Sequence, residues 1–347
     1  MKKWLALITS VLLILTLVSC GTQAGAPGTT TTGPEAKPPV EIVNVSYDPT
    51  RELYANYNKL FQAYWKDKAN QEVTITQSHA GSGSQARSVL EGNEADVVTL
   101  ALEGDIDTLV TGGLIKAGYV NEFPNDSAPY TSTIVFLVRA GNPQNIQDWN
   151  DIVKPGVQII TPNPKTSGGA CWNFLAAWAY ALDLYAGDEV KTQQFLKDLF
   201  ANVTVLDSGA RGSTTTFVEN KQGDVLLAWE NEAFLAQKEH PGEYEIVIPS
   251  ISILAQPTVA IVDAVVEKRG TSEVAAAYLE YLYSPEAQQL EAENYYRPSN
   301  QDILKKYADT FDLNLKLVNI NDDFGGWTAA KAKYFVDGAI FDQIYKK

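Results

Sequence analysis

The segment TPNPKTSGGACWNF (residues 161–174) joins a β-strand to a long apolar helix, and this junction indicates the fold of the chain. The residues before it, 157–160, are rich in β-branched side chains, and residues 170–186 form an apolar run as long as a buried helix. A strand that leads directly into a helix is the repeating unit of parallel α/β sheets. The segment therefore predicts an α/β protein with a Ser-Gly-Gly turn (167–169) at the mouth of a buried helix.

Four strand-to-helix turns share this character, because each is small, carries hydroxyls or glycines and opens a helix. In open α/β sheets, ligands bind beyond the carboxyl ends of the strands. Helix N-termini carry unpaired N–H groups and a partial positive charge, so several of them aimed at one point predict an anion site without a side-chain cation. Ordinary helix-start chemistry remains the alternative for any single turn. The turns are Ser46–Thr50, Ala80–Ser84, Thr166–Ala170 and Ser208–Ser213.

Predicted strands and helices alternate along the chain and form two α/β units. Asp48 is expected to cap a helix that begins at Pro49. The long strands 131–138 and 257–262 are expected to cross between the units. This predicts a discontinuous first domain, 40–128 plus 258–347, and a second domain inserted at 129–257. The other predicted strands are 41–46, 72–77, 96–100, 157–160, 203–206 and 225–229, and the predicted helices are 49–68, 85–91, 170–186, 213–220, 272–283, 285–295 and 327–345.

The N-terminus carries an export signal. Two lysines and the apolar stretch 4–18 predict a signal peptide over residues 1–19. The sequence LVSCG (17–21) resembles a bacterial lipobox, which predicts lipidation of Cys20 and anchoring to the membrane. An ordinary signal peptide with an incidental cysteine is the alternative. Residues 20–39 are rich in Thr, Gly, Pro and Ala and are expected to form a flexible linker.

Composition narrows the possible functions. The chain has 347 residues, 45% of them hydrophobic, and a net charge of −15, which argues against nucleic acid and anionic membranes as partners. Its two histidines nearly exclude a multi-histidine metal site. If Cys20 is lipidated, Cys171 has no disulfide partner; we expect a small core residue there, with a reactive thiol at a helix N-terminus as the alternative.

The candidate catalytic motifs in the sequence are incomplete, so we expect a protein that is not an enzyme. Gly-Ser-Gly (81–83) lacks the spacing of a nucleophile elbow, and the sequence has no phosphate-binding-loop lysine motif. Residues 47–51 end like a sulfatase signature but have Tyr47 in place of the modifiable residue. The acidic pair 105/107 could suggest a metal-dependent phosphohydrolase, but we expect a solvated helix start there. The residues 230/232 could hold an acid/base pair, and solvated side chains after a strand explain them equally well. An exported sulfate- or phosphate-ester hydrolase is the alternative function.

Seven blocks of sequence resemble the periplasmic sulfate-binding proteins of ABC transporters, and the resemblance covers nearly the whole mature chain. These blocks contain three of the four turns described above, and the turn Ala80–Ser84 lies between the first two blocks. Blocks of this length and number make a chance resemblance very improbable. They are NVSYDPTRELY (44–54), ADVVTLAL (95–102), DSAPYTSTIVFLVR (126–139), ITPNPKTSGGA (160–170), LDSGARGST (206–214), LAWENEA (227–233) and LYSPEAQ (282–288).

The resemblance implies a two-lobed periplasmic-binding-protein fold of type II that closes on a hinge and delivers sulfate to ABC permease subunits. It implies a periplasmic protein, which we expect to be a monomer, without a metal or other cofactor. Thiosulfate, molybdate and tungstate remain alternative ligands. Two residues depart from the family pattern: Ala80 replaces the usual glycine, and Cys171 replaces a frequent arginine. The implied sulfate donors are the N–H groups of Asp48, Gly168, Gly169 and Ala210, the residue Ser82, the hydroxyl of Ser167 and the indole of Trp229.

Overall fold

The structure, a computed structural model, describes residues 36–345. The expected signal peptide, the lipidation site at Cys20 and the linker up to residue 35 lie outside the described residues. The first strand begins at Lys37, slightly before the folded part was expected to start. None of the helices between residues 36 and 345 is long and apolar enough to cross a membrane.

The strands are mostly short and are numbered in chain order. They are β1 Lys37–Tyr47, β2 Gln71–Ala80, β3 Val97–Leu100, β4 Tyr130–Thr131, β5 Ile134–Arg139, β6 Ile159–Pro162, β7 Val203–Asp207, β8 Val225–Trp229, β9 Tyr244–Val247, β10 Ile251–Ile253, β11 Thr258–Ile261, β12 Arg297–Pro298 and β13 Lys316–Val318.

The helices range from single turns to the 19-residue α1. They are α1 Arg51–Ala69, α2 Ser82–Leu90, α3 Glu103–Thr111, α4 Pro124–Ser127, α5 Trp149–Ile152, α6 Gly168–Leu184, α7 Glu189–Ala201, α8 Ala210–Val218, α9 Glu230–Glu239, α10 Asp263–Arg269, α11 Ser272–Tyr281, α12 Pro285–Glu293, α13 Gln301–Leu304, α14 Ile320–Phe324, α15 Gly326–Ala330 and α16 Ile340–Ile344.

Two larger sheets form the centres of two lobes. The first sheet has the order β11-β3-β1-β2, in which β1 is parallel to β2 and β3 and antiparallel pairing joins β11 to β3. The second has the order β7-β6-β8-β5-β9, in which β7, β6 and β8 are parallel and β5 is antiparallel to its neighbours. The chain thus leaves the first sheet after β3 and returns to it at β11. The predicted two-lobed α/β fold is confirmed.

The segment predicted as the first crossing strand is not one continuous strand. The predicted strand 131–138 is broken, because β4 pairs with β12 whereas β5 lies wholly within the second sheet. A bridge between Ser132 and Ala255 joins the segment that contains β4 to a third connecting segment near residue 255. The lobes are therefore connected at residues near 130–132, near 255 and near 297.

The end of the chain differs from the single helix predicted over 327–345. It forms α15, a π-helical turn over Lys331–Phe335, and α16. This segment packs on α6 in the second lobe, where the ring centroids of Trp172 and Trp327 are 4.7 Å apart. The expected assignment of residues 258–347 to the first domain therefore does not describe the contacts of this last segment.

The helix starts also differ from the prediction. The side chain of Asp48 makes no capping hydrogen bond, so its predicted role as a cap is wrong. Asp48 is instead the first residue of a 3₁₀ turn, Asp48–Thr50, that precedes α1. The helices α2 and α8 begin earlier than predicted, at Ser82 and Ala210. These differences matter because a first helical residue has a backbone N–H without a partner inside the helix.

Candidate functional site

The seven residues predicted as anion donors lie together around one small cavity between the lobes. The cavity holds about 160 Å³ of space that protein atoms do not occupy. Side chains with a positive charge are not among its described lining residues. It is lined by Asp48, Ser82, Ser167, Gly168, Gly169, Ala210 and Trp229, together with Tyr47, Pro49, Gly81 and Ala101.

Three helices and one 3₁₀ turn begin at this cavity. Their first residues are Asp48, Ser82, Gly168 and Ala210, and none of the four starts has a side-chain cap. Helices elsewhere do use such caps, as α12 does with the hydroxyl of Ser284. The starts at the cavity therefore present unpaired N–H groups and the positive ends of helix dipoles from both lobes.

Trp229 supplies the most informative single atom of the site. It ends β8, and only 1% of its surface is exposed. Its indole Nε1 is buried and has no hydrogen-bond partner within the described residues. The ring of Tyr47 lies against the indole, with the centroids 5.3 Å apart. A buried donor without an acceptor costs about 1–3 kcal/mol, so this geometry fits a ligand that accepts a hydrogen bond.

The two serines of the site differ in what they can donate. The hydroxyl of Ser82 donates to Asp105 Oδ2 at 2.6 Å and accepts from the N–H of Ala101 at 3.0 Å. Its proton is therefore committed, which leaves the backbone N–H of Ser82 as its free donor. The hydroxyl of Ser167, by contrast, makes no hydrogen bond within the part of the chain that the structure describes, although its backbone N–H donates to Asn163 O at 2.9 Å.

Close approach explains the glycines of the Ser-Gly-Gly turn. A Cβ on Gly169 would lie 2.3 Å from Trp229 Nε1, and a Cβ on Gly168 would lie 2.7 Å from Ala101 Cβ. Both distances are shorter than real contacts. Gly169 therefore lets the indole approach the start of α6, and Gly168 lets the first lobe approach the second.

The positive charge of Arg211, beside the cavity, is paired with two carboxylates. Arg211 follows Ala210, and its guanidinium donates to both carboxylate oxygens of Glu52 at 3.0 and 2.7 Å. The same guanidinium donates to Glu232 at 2.8 Å. Since Glu52 belongs to α1 and Arg211 to α8, this ion pair joins the lobes beside the site. The sequence did not predict this ion pair, because Glu52 and Arg211 are far apart in the chain.

Three acidic residues near the site, Asp105, Glu230 and Glu232, are buried. Asp105 accepts from Ser82, and burial raises the pKa of its carboxyl. Glu230 accepts two hydrogen bonds from Arg297 at 2.7 and 2.8 Å. Glu232 is 2% exposed and pairs with Arg211. The expected solvated helix start at Asp105 was therefore wrong, and the solvated alternative does not hold for Glu230 and Glu232. None of the three lines the cavity.

The side chain of Asp48 lies against the second lobe, next to the start of α8. Its carboxylate oxygen Oδ2 lies against Gly209, where an added Cβ would be 2.1 Å away. Burial raises the pKa of this carboxyl, and the positive charges of Arg51 and Arg211 oppose that rise. The expectation that the carboxylate turns away from a bound anion stays a prediction.

The residues that depart from the family pattern lie next to the donors. Ala80 ends β2 opposite Tyr47. Cys171 is 4% exposed in the first turn of α6, and its sulfur lies 3.4 Å from Pro164 O. Burial raises the pKa of its thiol well above the ordinary value, which favours a core residue over a reactive thiol. Within the described residues, no group of three or more His, Cys, Asp or Glu could hold a metal ion.

Comparisons with known proteins agree with this geometry. Residues 44–297 match the family model described as bacterial extracellular solute-binding protein. A sulfate-binding protein of Escherichia coli strain K12 is 59% identical over 309 residues, which cover 89% of this chain and 94% of that protein. A thiosulfate-binding protein of Pseudomonas aeruginosa is 48% identical, covering 88% and 92%. The structure of the sulfate-binding protein SubI from Mycobacterium tuberculosis H37Rv aligns with a TM-score of 0.78 at 30% identity, covering 85% of this chain and 99% of that one.

Proposed function

The chain belongs to the family of bacterial extracellular solute-binding proteins, and from this premise we propose that it binds sulfate between its lobes and delivers it to an ABC permease. The observation that carries the proposal is the unpaired indole N–H of Trp229 in a cavity ringed by the first residues of helices. The proposed donors are the seven residues predicted from the sequence, with the backbone N–H assigned to Ser82 because its hydroxyl is already bound to Asp105.

The energetics of such a site are favourable without a cation. Removing a dianion from water is very costly unless other groups replace its hydration. Hydrogen bonds to a charged acceptor contribute about 1.5–3 kcal/mol each, so about seven donors offset much of that cost. The net charge of −15 should mainly slow the approach of the anion to the protein. Salt screens this charge beyond about 8–10 Å, whereas the donors would lie in contact with the bound anion.

The same donor set would discriminate between oxyanions by their protons. Sulfate carries no proton near neutral pH and accepts hydrogen bonds only. Phosphate retains at least one proton in this range, and that proton needs an acceptor. A cavity of donors would leave it unpaired, at a cost of about 1–3 kcal/mol. This argument favours sulfate, and thiosulfate is the second candidate because one relative bears that name.

Transport requires the lobes to open and close, and we propose the connecting segments near residues 130, 255 and 297 as the hinge. The proposed lobes are residues 40–128 with 258–347 and residues 129–257, with the last segment packed across to the second lobe. We further propose a periplasmic monomer, anchored through Cys20, that acts as a carrier and not as an enzyme.

Calorimetric titration with sulfate, thiosulfate, molybdate, tungstate and phosphate tests the proposal. We expect tight 1:1 binding of sulfate and no measurable heat with phosphate. Tighter binding of molybdate or tungstate would assign a different ligand, and no binding of any anion would overturn the proposal. Incubation with sulfate and phosphate esters plus divalent metals should release no product, since release would favour the hydrolase alternative.

A further inference from the structure

Asn231 connects three parts of the molecule through one buried amide. It is the second residue of α9 and is fully buried. Its Nδ2 donates to Pro49 O at 3.2 Å and to the hydroxyl of Tyr296 at 3.0 Å. Pro49 lies in the 3₁₀ turn of the first lobe, and Tyr296 directly precedes the connecting strand β12. A side chain of the second lobe is therefore bonded both to the first lobe and to a connecting segment.

The two ends of this connection carry proposed anion donors. Pro49 follows Asp48, whose N–H is one proposed donor, and Asn231 lies two residues after Trp229, whose indole is another. The bond from Asn231 to Pro49 O thus fixes the distance between the turn of the first lobe and the end of β8 in the second. A change in this distance would move the two donors relative to one anion.

Tyr296 extends the connection to the segments between the lobes. Its ring lies against that of Tyr130, with the centroids 4.6 Å apart. Tyr130 belongs to β4, and Tyr296 directly precedes β12, the strand that pairs with β4. The amide of Asn231 therefore contacts the connecting segments as well as the first lobe. Rotation of the lobes about those segments would change its two hydrogen-bond distances together.

Asn231 and Tyr296 belong to a group of buried polar residues. The hydroxyls of Tyr47 and Tyr130 and the Oδ1 of Asn231 are buried without a partner within the described residues. Burying such atoms is unfavourable, and the two hydrogen bonds of the Asn231 amide offset part of that cost.

We propose that Asn231 is a positioning residue for anion binding: its two hydrogen bonds form as the lobes close and hold the Asp48 turn and Trp229 at the separation that one anion can bridge. This inference rests on the proposed function. If the bonds form on closure, their loss should act on release of the anion far more than on its capture.

Asn173 provides a matched control. It is also a buried asparagine whose Nδ2 makes two hydrogen bonds, to Thr161 Oγ1 at 2.9 Å and to Leu227 O at 3.1 Å. Its Oδ1 likewise has no partner among the described residues. Both of its partners, however, belong to the second lobe. Asn231→Ala and Asn173→Ala therefore each remove one buried amide with two hydrogen bonds, but only Asn231→Ala removes a contact between the lobes.

Stopped-flow tryptophan fluorescence with sulfate tests the proposal. We expect Asn231→Ala to raise the dissociation rate constant roughly tenfold and to change the association rate constant by less than about threefold. Asn173→Ala should lower the melting temperature with little change in either rate constant. Tyr296→Phe keeps the ring stack but removes the hydroxyl, so it should raise the dissociation rate constant by a smaller factor. This variant provides the test if Asn231→Ala does not fold.

The outcomes separate this proposal from the proposed function. Wild-type binding combined with unchanged release from both Asn231→Ala and Tyr296→Phe would overturn the positioning role alone. Equal acceleration of release in Asn173→Ala would assign a merely structural role and would also overturn it. Wild-type protein that binds neither sulfate nor thiosulfate would overturn the proposed function and this inference with it.

Discussion

Gly169 and Trp229 are in such close contact that a Cβ added to Gly169 would lie 2.3 Å from the indole Nε1. The first residue belongs to the start of α6 and the second to the end of β8. Their contact brings a side-chain N–H beside the unpaired backbone N–H groups of a helix start. Two kinds of neutral donor thus converge on one point because the smallest residue stands between them.

Substitution of Gly169 tests this contact. Gly169→Ala should push the indole or the helix start away from the cavity and lower sulfate affinity by at least about 100-fold. Gly83→Ala is the control, since Gly83 lies in α2 and its added Cβ would meet only ordinary contacts, the nearest at 3.7 Å. It should bind sulfate normally. Calorimetry measures both, and normal binding by Gly169→Ala would contradict the geometry.

Removal of the indole N–H tests Trp229 as a donor. Trp229→Phe keeps a large buried ring but removes one charge-assisted hydrogen bond, so affinity should fall about 10- to 100-fold. Trp149→Phe is the control, because the Nε1 of Trp149 donates to Ile251 O at 2.9 Å within the second lobe. That variant should lose stability but not affinity. Unchanged sulfate affinity in Trp229→Phe would remove Trp229 from the site.

His79 makes the stability of the fold depend on pH. Burial, followed by the positive charge of Arg51, lowers the pKa of its imidazole from 6.5 to about 4. Because the folded-state pKa is depressed, the stabilisation is complete above pH 6.5 and is lost as the pH falls towards 4. The loss should be on the order of 1–3 kcal/mol after allowance for solvent screening.

Denaturant unfolding between pH 7 and pH 4 measures this effect. His79→Gln should flatten the pH dependence in that window, whereas His240→Gln, which changes the only other histidine of the sequence, should leave the decline in place. A decline of equal size in wild type and His79→Gln would show that other groups cause it.

The sequence predicted the parts of the structure that depend on local pattern. The strand 225–229 was predicted with its observed bounds, and α1 within one or two residues, because their periodicity is strong. The C-terminal helix was overpredicted even though Gly338, with a positive φ of 78°, interrupts it. The segment is rich in apolar residues because it is buried against α6, and this apolar pattern led to the prediction of one continuous helix.

The site was predictable as a set of residues but not in its hydrogen bonding. Most of the proposed donors lie in small, hydroxyl- or glycine-bearing turns at helix starts, which are visible in sequence, whereas Trp229 was implied only by the family resemblance. The partners of buried acids are not visible, because Glu230 is bound by Arg297, 67 residues away. The commitment of the Ser82 hydroxyl to Asp105 likewise depends on how α2 and α3 pack.

The dependence of binding on pH tests the central physical claim, that the anion is held by donors alone. Sulfate has no proton to lose between pH 5 and 8, and the proposed donors are N–H and O–H groups that do not titrate there. Asp48 carries the one carboxyl among the described residues that line the cavity, and burial raises its pKa. If its carboxylate faces away from the anion, sulfate affinity should vary by less than about threefold across this range. A steep fall in affinity as the pH rises would mean that the ionised carboxylate faces the anion, and Asp48→Asn, which keeps the backbone N–H, should then abolish that fall.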